Sequence, residues 1–120
     1  IEFSYKNDEL GDPLLDECHA LALHLSTPEE IETIKKYSFA VNEQLKAFWR
    51  ECGVTLVDFK LEFGRLSDGT VVLADEISPD TCRLWDSKTG EKLDKDRFRR
   101  DLGGVEDAYA EVMMRLTAHI

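Results

Sequence analysis

The sequence is short of positive charge, of long apolar runs and of cysteine. Only 15 Lys and Arg stand against 25 Asp and Glu, a formal charge of −10 at pH 7. Such a chain lacks the electrostatic footprint that supplies most non-specific affinity for DNA or RNA, and anionic membrane surfaces would repel it. No apolar run approaches the ~18 residues a spanning helix needs; the longest are pieces such as residues 20–23 and 71–74. The expectation is a soluble, cytoplasmic protein with neither nucleic acid nor membrane among its partners. Cys18, Cys52 and Cys82 are odd in number and include no C-x-x-C, which suits reduced, buried thiols better than a disulfide frame or a zinc site. His19, His24 and His119 form no ligand spacing. The chain opens without Met and without a basic segment leading into an apolar one, so no signal peptide is visible and the chain is expected to begin inside a longer protein.

What is present is enough apolar material, 42% of 120 residues, for one core and a single domain over residues 1–120. Ile1-Glu2-Phe3-Ser4-Tyr5-Lys6 alternates as a strand, and residues 7–26 read as turn-rich loop with a short helical piece. Thr27-Pro28-Glu29-Glu30 is a helix start: Thr at the cap, Pro at the first helical position, and Glu to close a capping box. The helix should run to about Glu51. Ile31, Ile34, Ser38, Val41, Leu45, Phe48 and Cys52 form its inward stripe, Phe39 and Trp49 widen it, and Gly53 ends it. Further on, Thr81 to Asp86 reads as a short strand, Ser87-Lys88-Thr89-Gly90 as a turn and residues 94–100 as a short helix. Gly103-Gly104 then breaks the chain before a last helix with Val105, Ala108, Val112 and Leu116 as its seam. The fold class is α+β, an antiparallel sheet with packed helices.

Residues 54–64 alternate, with Val57, Phe59, Leu61 and Phe63 on a buried face and Asp58, Lys60 and Glu62 on the other. Asp68-Gly69 is the signal of a two-residue hairpin loop, with the chain returning over residues 71–77. In that register Ser67 pairs with Thr70, and Glu62 stands directly opposite Asp75. Two carboxylates opposed across strands repel unless they bind a cation or share a proton. All-oxygen ligands suit Mg²⁺ completed by nucleotide phosphate, and Lys60 on the same face would neutralise that phosphate. A solvated strand face with a Lys–Glu pair is the alternative reading. A one-residue change in the loop would carry Asp75 to the other face.

Charge is also unevenly spread. From Arg83 to Arg100 seven basic residues outweigh four acidic ones, a balance of +3 against −13 for the remainder. Such a patch can hold a small anion, and guanidinium suits bidentate contact with phosphate or carboxylate; a solvated helix face would show the same composition.

The segment Leu56-Val57-Asp58-Phe59-Lys60-Leu61-Glu62-Phe63-Gly64 resembles a signature of the SAICAR synthetase family. Four further segments match that family in order and spacing: Lys6-Asn7-Asp8-Glu9-Leu10-Gly11-Asp12-Pro13; Ala74-Asp75-Glu76-Ile77-Ser78-Pro79-Asp80 with Arg83-Leu84-Trp85-Asp86; Asp94-Lys95-Asp96-Arg97-Phe98-Arg99; and Leu102-Gly103-Gly104. The resemblance covers the chain and corresponds to the C-terminal half of the enzyme, with the family's N-terminal nucleotide-covering half absent from these residues. It implies the C-terminal portion of an ATP-grasp-like fold and an ATP-dependent ligase of purine biosynthesis. Such a ligase joins carboxyaminoimidazole ribonucleotide (CAIR) to L-aspartate, with ATP as co-substrate and Mg²⁺ as cofactor. By the same resemblance Glu62 and Asp75 are Mg²⁺ ligands, Lys60 contacts nucleotide phosphates with Lys6 on the nucleotide side, and Lys60 and Asp58 serve catalysis. Arg83, Lys95 and Arg99 hold the ribonucleotide's anionic groups, while Asp12, Asp58 and Asp80 orient substrate amines. The implied partners are the two substrates and the enzyme's N-terminal half, and family members often assemble as homo-oligomers. A non-catalytic Mg-nucleotide or anion-binding module, and a purely structural interaction domain, are the alternatives from other classes.

Overall fold

The computed structural model describes residues 1–75 and 77–120, which fall into two compact units, Ile1–Phe39 and Ala40–Ile120. In the first unit, β1 (Phe3–Ser4) pairs antiparallel with β2 (Leu14–Leu15), Phe3 opposite Leu15. The connection is a 3-10 turn at Asp8–Leu10 whose cap is Asn7, its Oδ1 accepting from the Leu10 N–H at 3.0 Å. Helix α1 (Glu17–Ala22) starts at Asp16, whose carboxylate accepts from the His19 N–H at 2.8 Å. This is the short helical piece expected of residues 7–26; β2 is an element that their irregular pattern did not signal.

Helix α2 (Pro28–Glu51) starts where the sequence places it. The capping box is formed: the Glu30 N–H donates to Thr27 Oγ1 at 3.2 Å, and the Thr27 N–H donates to Glu30 Oε1 at 2.9 Å. Ile31, Trp49 and Cys52 are buried, but Phe39 is 59% exposed rather than part of the inward stripe. One residue past Ser38, it is rotated by about 100° from that seam. Gly53, at φ +71°, ends the helix in the left-handed conformation that glycine adopts without a Cβ penalty.

In the second unit β3 (Val54–Phe59) pairs antiparallel with β6 (Cys82–Asp86). Leu56 stands opposite Leu84 and Asp58 opposite Arg83, so Val57 is an extra residue bulged out of the ladder. The expected burial of Val57 is therefore corrected: it is 42% exposed. The bulge switches the inward phase from the even residues Val54 and Leu56 to the odd residue Phe59, which faces Cys82. A second pair, β4 (Phe63–Arg65) with β5 (Val71–Leu73), forms a separate two-stranded sheet. The return strand is shorter than the expected residues 71–77, and Glu76 of that stretch lies outside the described residues. Helix α3 (Asp96–Arg99) and helix α4 (Val105–His119) complete the chain.

The core of this unit joins Trp49 and Cys52 of α2, Val54, Cys82 and Leu84 of the β3–β6 pair, Leu93, and Ala108 and Val112 of α4. Arg115 locks α4 to the end of that ladder. Its guanidinium donates to the Gly53 carbonyl at 2.9 Å and to Asp86 Oδ2 at 2.6 Å, with Glu111 also at 2.7 Å. Asp86 Oδ1 meanwhile accepts from the Lys88 and Thr89 N–H groups, both at 2.8 Å, closing the turn after β6. Together Arg115 and these N–H groups hold the Asp86 carboxyl well below the usual carboxylate range.

Two outcomes follow for stability. Leu84 is fully buried at 0% exposure, so Leu84→Ala should cost about 2–5 kcal/mol in denaturant titrations. Because the folded Asp86 titrates below its unfolded value of about 3.9, its contribution is whole above that pH and is lost as pH falls through the folded value. Midpoints of urea unfolding should therefore decline below about pH 4, and Asp86→Asn should flatten that decline while lowering stability at neutral pH.

Candidate active site

The hairpin sets the position of Glu62. Its loop has three residues, Ser67, Asp68 and Gly69: the Leu66 N–H donates to the Thr70 carbonyl at 2.9 Å, and Gly69 sits at φ +89°. Phe63 thus faces Leu73, and the Ala74 N–H donates to the Glu62 carbonyl at 2.8 Å. The two-residue loop and the direct Glu62–Asp75 opposition are corrected by one residue. Glu62 stands opposite Ala74, and Asp75 follows beyond the strand end. The reason is local: the Thr70 N–H is taken by the Asp68 carboxylate at 2.9 Å, and the left-handed residue is Gly69 alone, as in three-residue loops. Across the gap between β3 and β4, Lys60 and Glu62 form an ion pair, Nζ to Oε1 at 2.7 Å, with Lys60 exposed and Glu62 half-buried. The Lys60 N–H donates to the Thr81 carbonyl at 2.8 Å, which fixes this pair beside the start of β6.

A second cluster gathers residues from three places in the chain. Arg83 on β6 donates through Nη1 to Asp58 Oδ2 at 2.6 Å and through Nε to Asp96 Oδ2 at 2.9 Å. Arg99 reaches Asp96 Oδ1 at 3.4 Å, and Arg100 Nε lies 4.0 Å from Oδ2. Asp96 is only 3% exposed. Burial pushes its carboxyl up, but the Arg83 hydrogen bond and charge, with Arg99 and Arg100, outweigh that and hold it below the ordinary value. Asp58 and Asp96 in turn push the Arg83 guanidinium up. The cluster is a row of alternating charge with Asp58 and the arginines at its solvent side and Asp96 as its buried anchor.

Asp94, 1% exposed, holds the row in place. One oxygen accepts from the Leu84 N–H at 2.7 Å and the other from the Asp96 N–H at 2.8 Å. Lys95 sits at the cap of α3, its N–H donating to the Pro79 carbonyl at 3.1 Å. In the turn before β6, Asp80 accepts from the Tyr109 hydroxyl of α4 at 2.5 Å.

The structure therefore brings Asp58, Arg83 and Arg99 into one ion network, joins Lys95 to the Asp80 turn, and pairs Lys60 with Glu62. Lys6 and Asp12 lie in the first unit. There Asp12, at φ +50°, accepts from the Asn7 N–H at 2.8 Å and so closes the 3-10 turn. Asp94, Asp96 and Tyr109 are the participants that sequence reasoning missed. The two aspartates are hidden in a charged run whose pattern suggests solvated helix, and Tyr109 is adjacent to the apolar seam of α4. Their signal is the crowding of three acids, three arginines and Lys95 into residues 94–101, too dense for a face without internal pairing. Two shallow depressions, one at residues 1–3 and 14–17 and one at residues 104–107, involve none of the expected site residues.

A sequence profile of SAICAR synthetase matches residues 1–116. The phosphoribosylaminoimidazole-succinocarboxamide synthase of Clostridium botulinum (strain Eklund 17B / Type B) is 60% identical over 117 residues, 98% of this chain and 50% of that protein. The synthase of the same name from Bacillus subtilis (strain 168) is 60% identical over 116 residues, 97% of this chain and 48% of its own. Among solved structures, the synthase from Ehrlichia chaffeensis superposes with a TM-score of 0.92 at 51% identity, covering 98% of this chain and 51% of that one. A SAICAR synthetase (Type-2) in complex with ADP gives 0.91 at 52% identity, covering 98% and 50%. The chain spans about half the length of the curated relatives it matches.

Removing the buried anchor should be costly. Asp96→Ala leaves the guanidiniums of Arg83 and Arg99 without their shared acceptor, and an expected loss of about 2 kcal/mol or more is read from the urea midpoint at neutral pH.

Proposed function

This chain belongs to the SAICAR synthetase family, and on that premise we propose that its 120 residues form one portion of an ATP-dependent ligase. The ligase joins CAIR to L-aspartate and releases SAICAR, ADP and phosphate. The observation that carries the reading is about 60% identity over 98% of the chain to relatives bearing that enzyme's name. A solved relative in complex with ADP supports a nucleotide site. The remaining half of the enzyme, homo-oligomeric assembly and a cytoplasmic location belong to the same proposal.

In this reading the CAIR carboxylate is phosphorylated by ATP, and the amine of aspartate attacks the acyl phosphate, forming the amide as phosphate leaves. Reactions between anions need charge neutralisation and positioning more than a side-chain nucleophile. The Lys60 ammonium, exposed and held by Glu62 at 2.7 Å, contacts the nucleotide phosphates, with Lys6 on the nucleotide side. Arg83, Lys95 and Arg99 hold the anionic groups of the ribonucleotide. For Arg83 and Arg99 the support is that Asp96 anchors both from beneath. Asp58, beside Arg83, serves catalysis with Lys60, and Asp12 and Asp80 bind substrate by orienting its amines.

The donor set fits Mg²⁺. Glu62 and Asp75 are hard oxygen donors, and no group of three or more His, Cys, Asp or Glu able to hold a metal occurs among the described residues. One or two carboxylates completed by phosphate and water is the Mg²⁺ pattern. When bound, Mg²⁺ supplies charge neutralisation on the phosphoryl group being transferred.

Glu62→Gln in the full-length enzyme should lower kcat roughly a hundredfold or more in an assay of ATP-, CAIR- and aspartate-dependent product, with the melting temperature little changed. Near-normal turnover would remove Glu62 from the machinery. Absence of product with the unmutated enzyme would overturn the ligase reading itself.

A further inference from the structure

We infer that Tyr109 is a positioning residue for the Asp80 carboxylate, fixing one of its oxygens so that the other accepts an N–H of a substrate amine. The inference rests on the ligase reading above and deepens it. Asp80 sits in the turn that leads into β6, and that turn is tied down along its backbone. The Asp80 N–H donates to Ser78 Oγ at 3.1 Å, the Ser78 N–H donates to Thr81 Oγ1 at 2.9 Å, and the Pro79 carbonyl accepts from the Lys95 N–H at 3.1 Å. Backbone anchoring leaves the Asp80 side chain its own rotamer freedom, since it is exposed to solvent. The contact that removes this freedom is the Tyr109 hydroxyl, 2.5 Å from Oδ1.

Tyr109 is built for that task. It follows buried Ala108 on α4, and its ring packs against the core cluster that contains Leu84 and Val112. A partly buried ring packed against the core has few rotamers to lose, so its hydroxyl is presented from a rigid platform. Burial first, then the hydrogen bond and charge of Asp80, push the phenol well above its ordinary value, so it stays a donor throughout the working range. The same phenol feels the charges of Asp94 and Arg99, which places the pair within electrostatic reach of the arginine row. A carboxylate with one oxygen pinned and the other at the solvent side, within electrostatic reach of Arg99, suits a substrate carrying both an amine and an anionic group. Both substrates of the proposed ligase answer that description, and kinetics separates them.

The test is Tyr109→Phe in the full-length enzyme, which deletes the hydroxyl and keeps the ring, compared with Asp80→Asn and with the double variant. The expected result is a roughly tenfold rise in KM for one substrate, CAIR or aspartate, matching the loss of a charge-assisted hydrogen bond. The substrate whose KM moves is the one Asp80 orients, and the melting temperature should stay within a few degrees of the parent. In the Asp80→Asn background Tyr109→Phe should add nothing further, because it acts through that carboxylate. Unchanged KM values for both substrates, a lowered melting temperature with kinetics intact, or independent, multiplying losses in the double variant would each overturn the inference. An unmutated enzyme that makes no amide product would instead refute the ligase reading, so the two failures are distinguishable.

Discussion

One buried carboxylate organises the second unit. Asp94 accepts the Leu84 N–H on one side and the Asp96 N–H on the other, and the Leu93 N–H returns a bond to the Leu84 carbonyl at 2.7 Å. Leu84 is thereby satisfied on its outer edge without a regular neighbouring strand, and α3 is held against β6. Burying a carboxyl group is tolerable only when its oxygens are hydrogen-bonded, and here each accepts from a peptide N–H that would itself be left unpaired. Everything in the arginine row depends on this joint, because Asp96 inherits its position from Asp94 and gives theirs to Arg83 and Arg99.

The helices were legible from the residues because their signals are local. A capping box and a stripe of three- and four-residue spacing describe α2 completely enough to place its start, and Gly103-Gly104 separates α3 from α4 as expected. The strands were legible as elements but not in phase. Alternation over residues 54–64 assumes an unbroken ladder, and Val57 breaks it. Likewise Asp-Gly marks a hairpin loop but does not count its residues, so the register moved by one and the direct opposition of Glu62 and Asp75 went with it.

The candidate site divides along the same line. Lys60, Glu62, Arg83 and Arg99 stand out because a recognisable segment or a local excess of charge contains them. Their partners do not, since pairing between Asp58 and Arg83, or Tyr109 and Asp80, joins residues 25 and 29 positions apart. Composition registers such a run as surplus charge, whereas the fold converts much of it into internal compensation, and only the tertiary structure distinguishes the two. Asp12 shows the converse: a residue in a recognisable segment whose carboxylate closes its own turn.

The bulge at Val57 has a consequence beyond its exposed side chain. Continued without the extra residue, the Leu56–Leu84 register would set Asp58 against Cys82, a thiol at 4% exposure whose own ionisation burial already opposes. The inserted residue advances the frame by one, giving Phe59 to the interior and Asp58 to Arg83. Val57 therefore works as a frameshift in space. It contributes no atom to the ion network, yet it decides whether the segment's alternating sequence is read with its charges outward or inward.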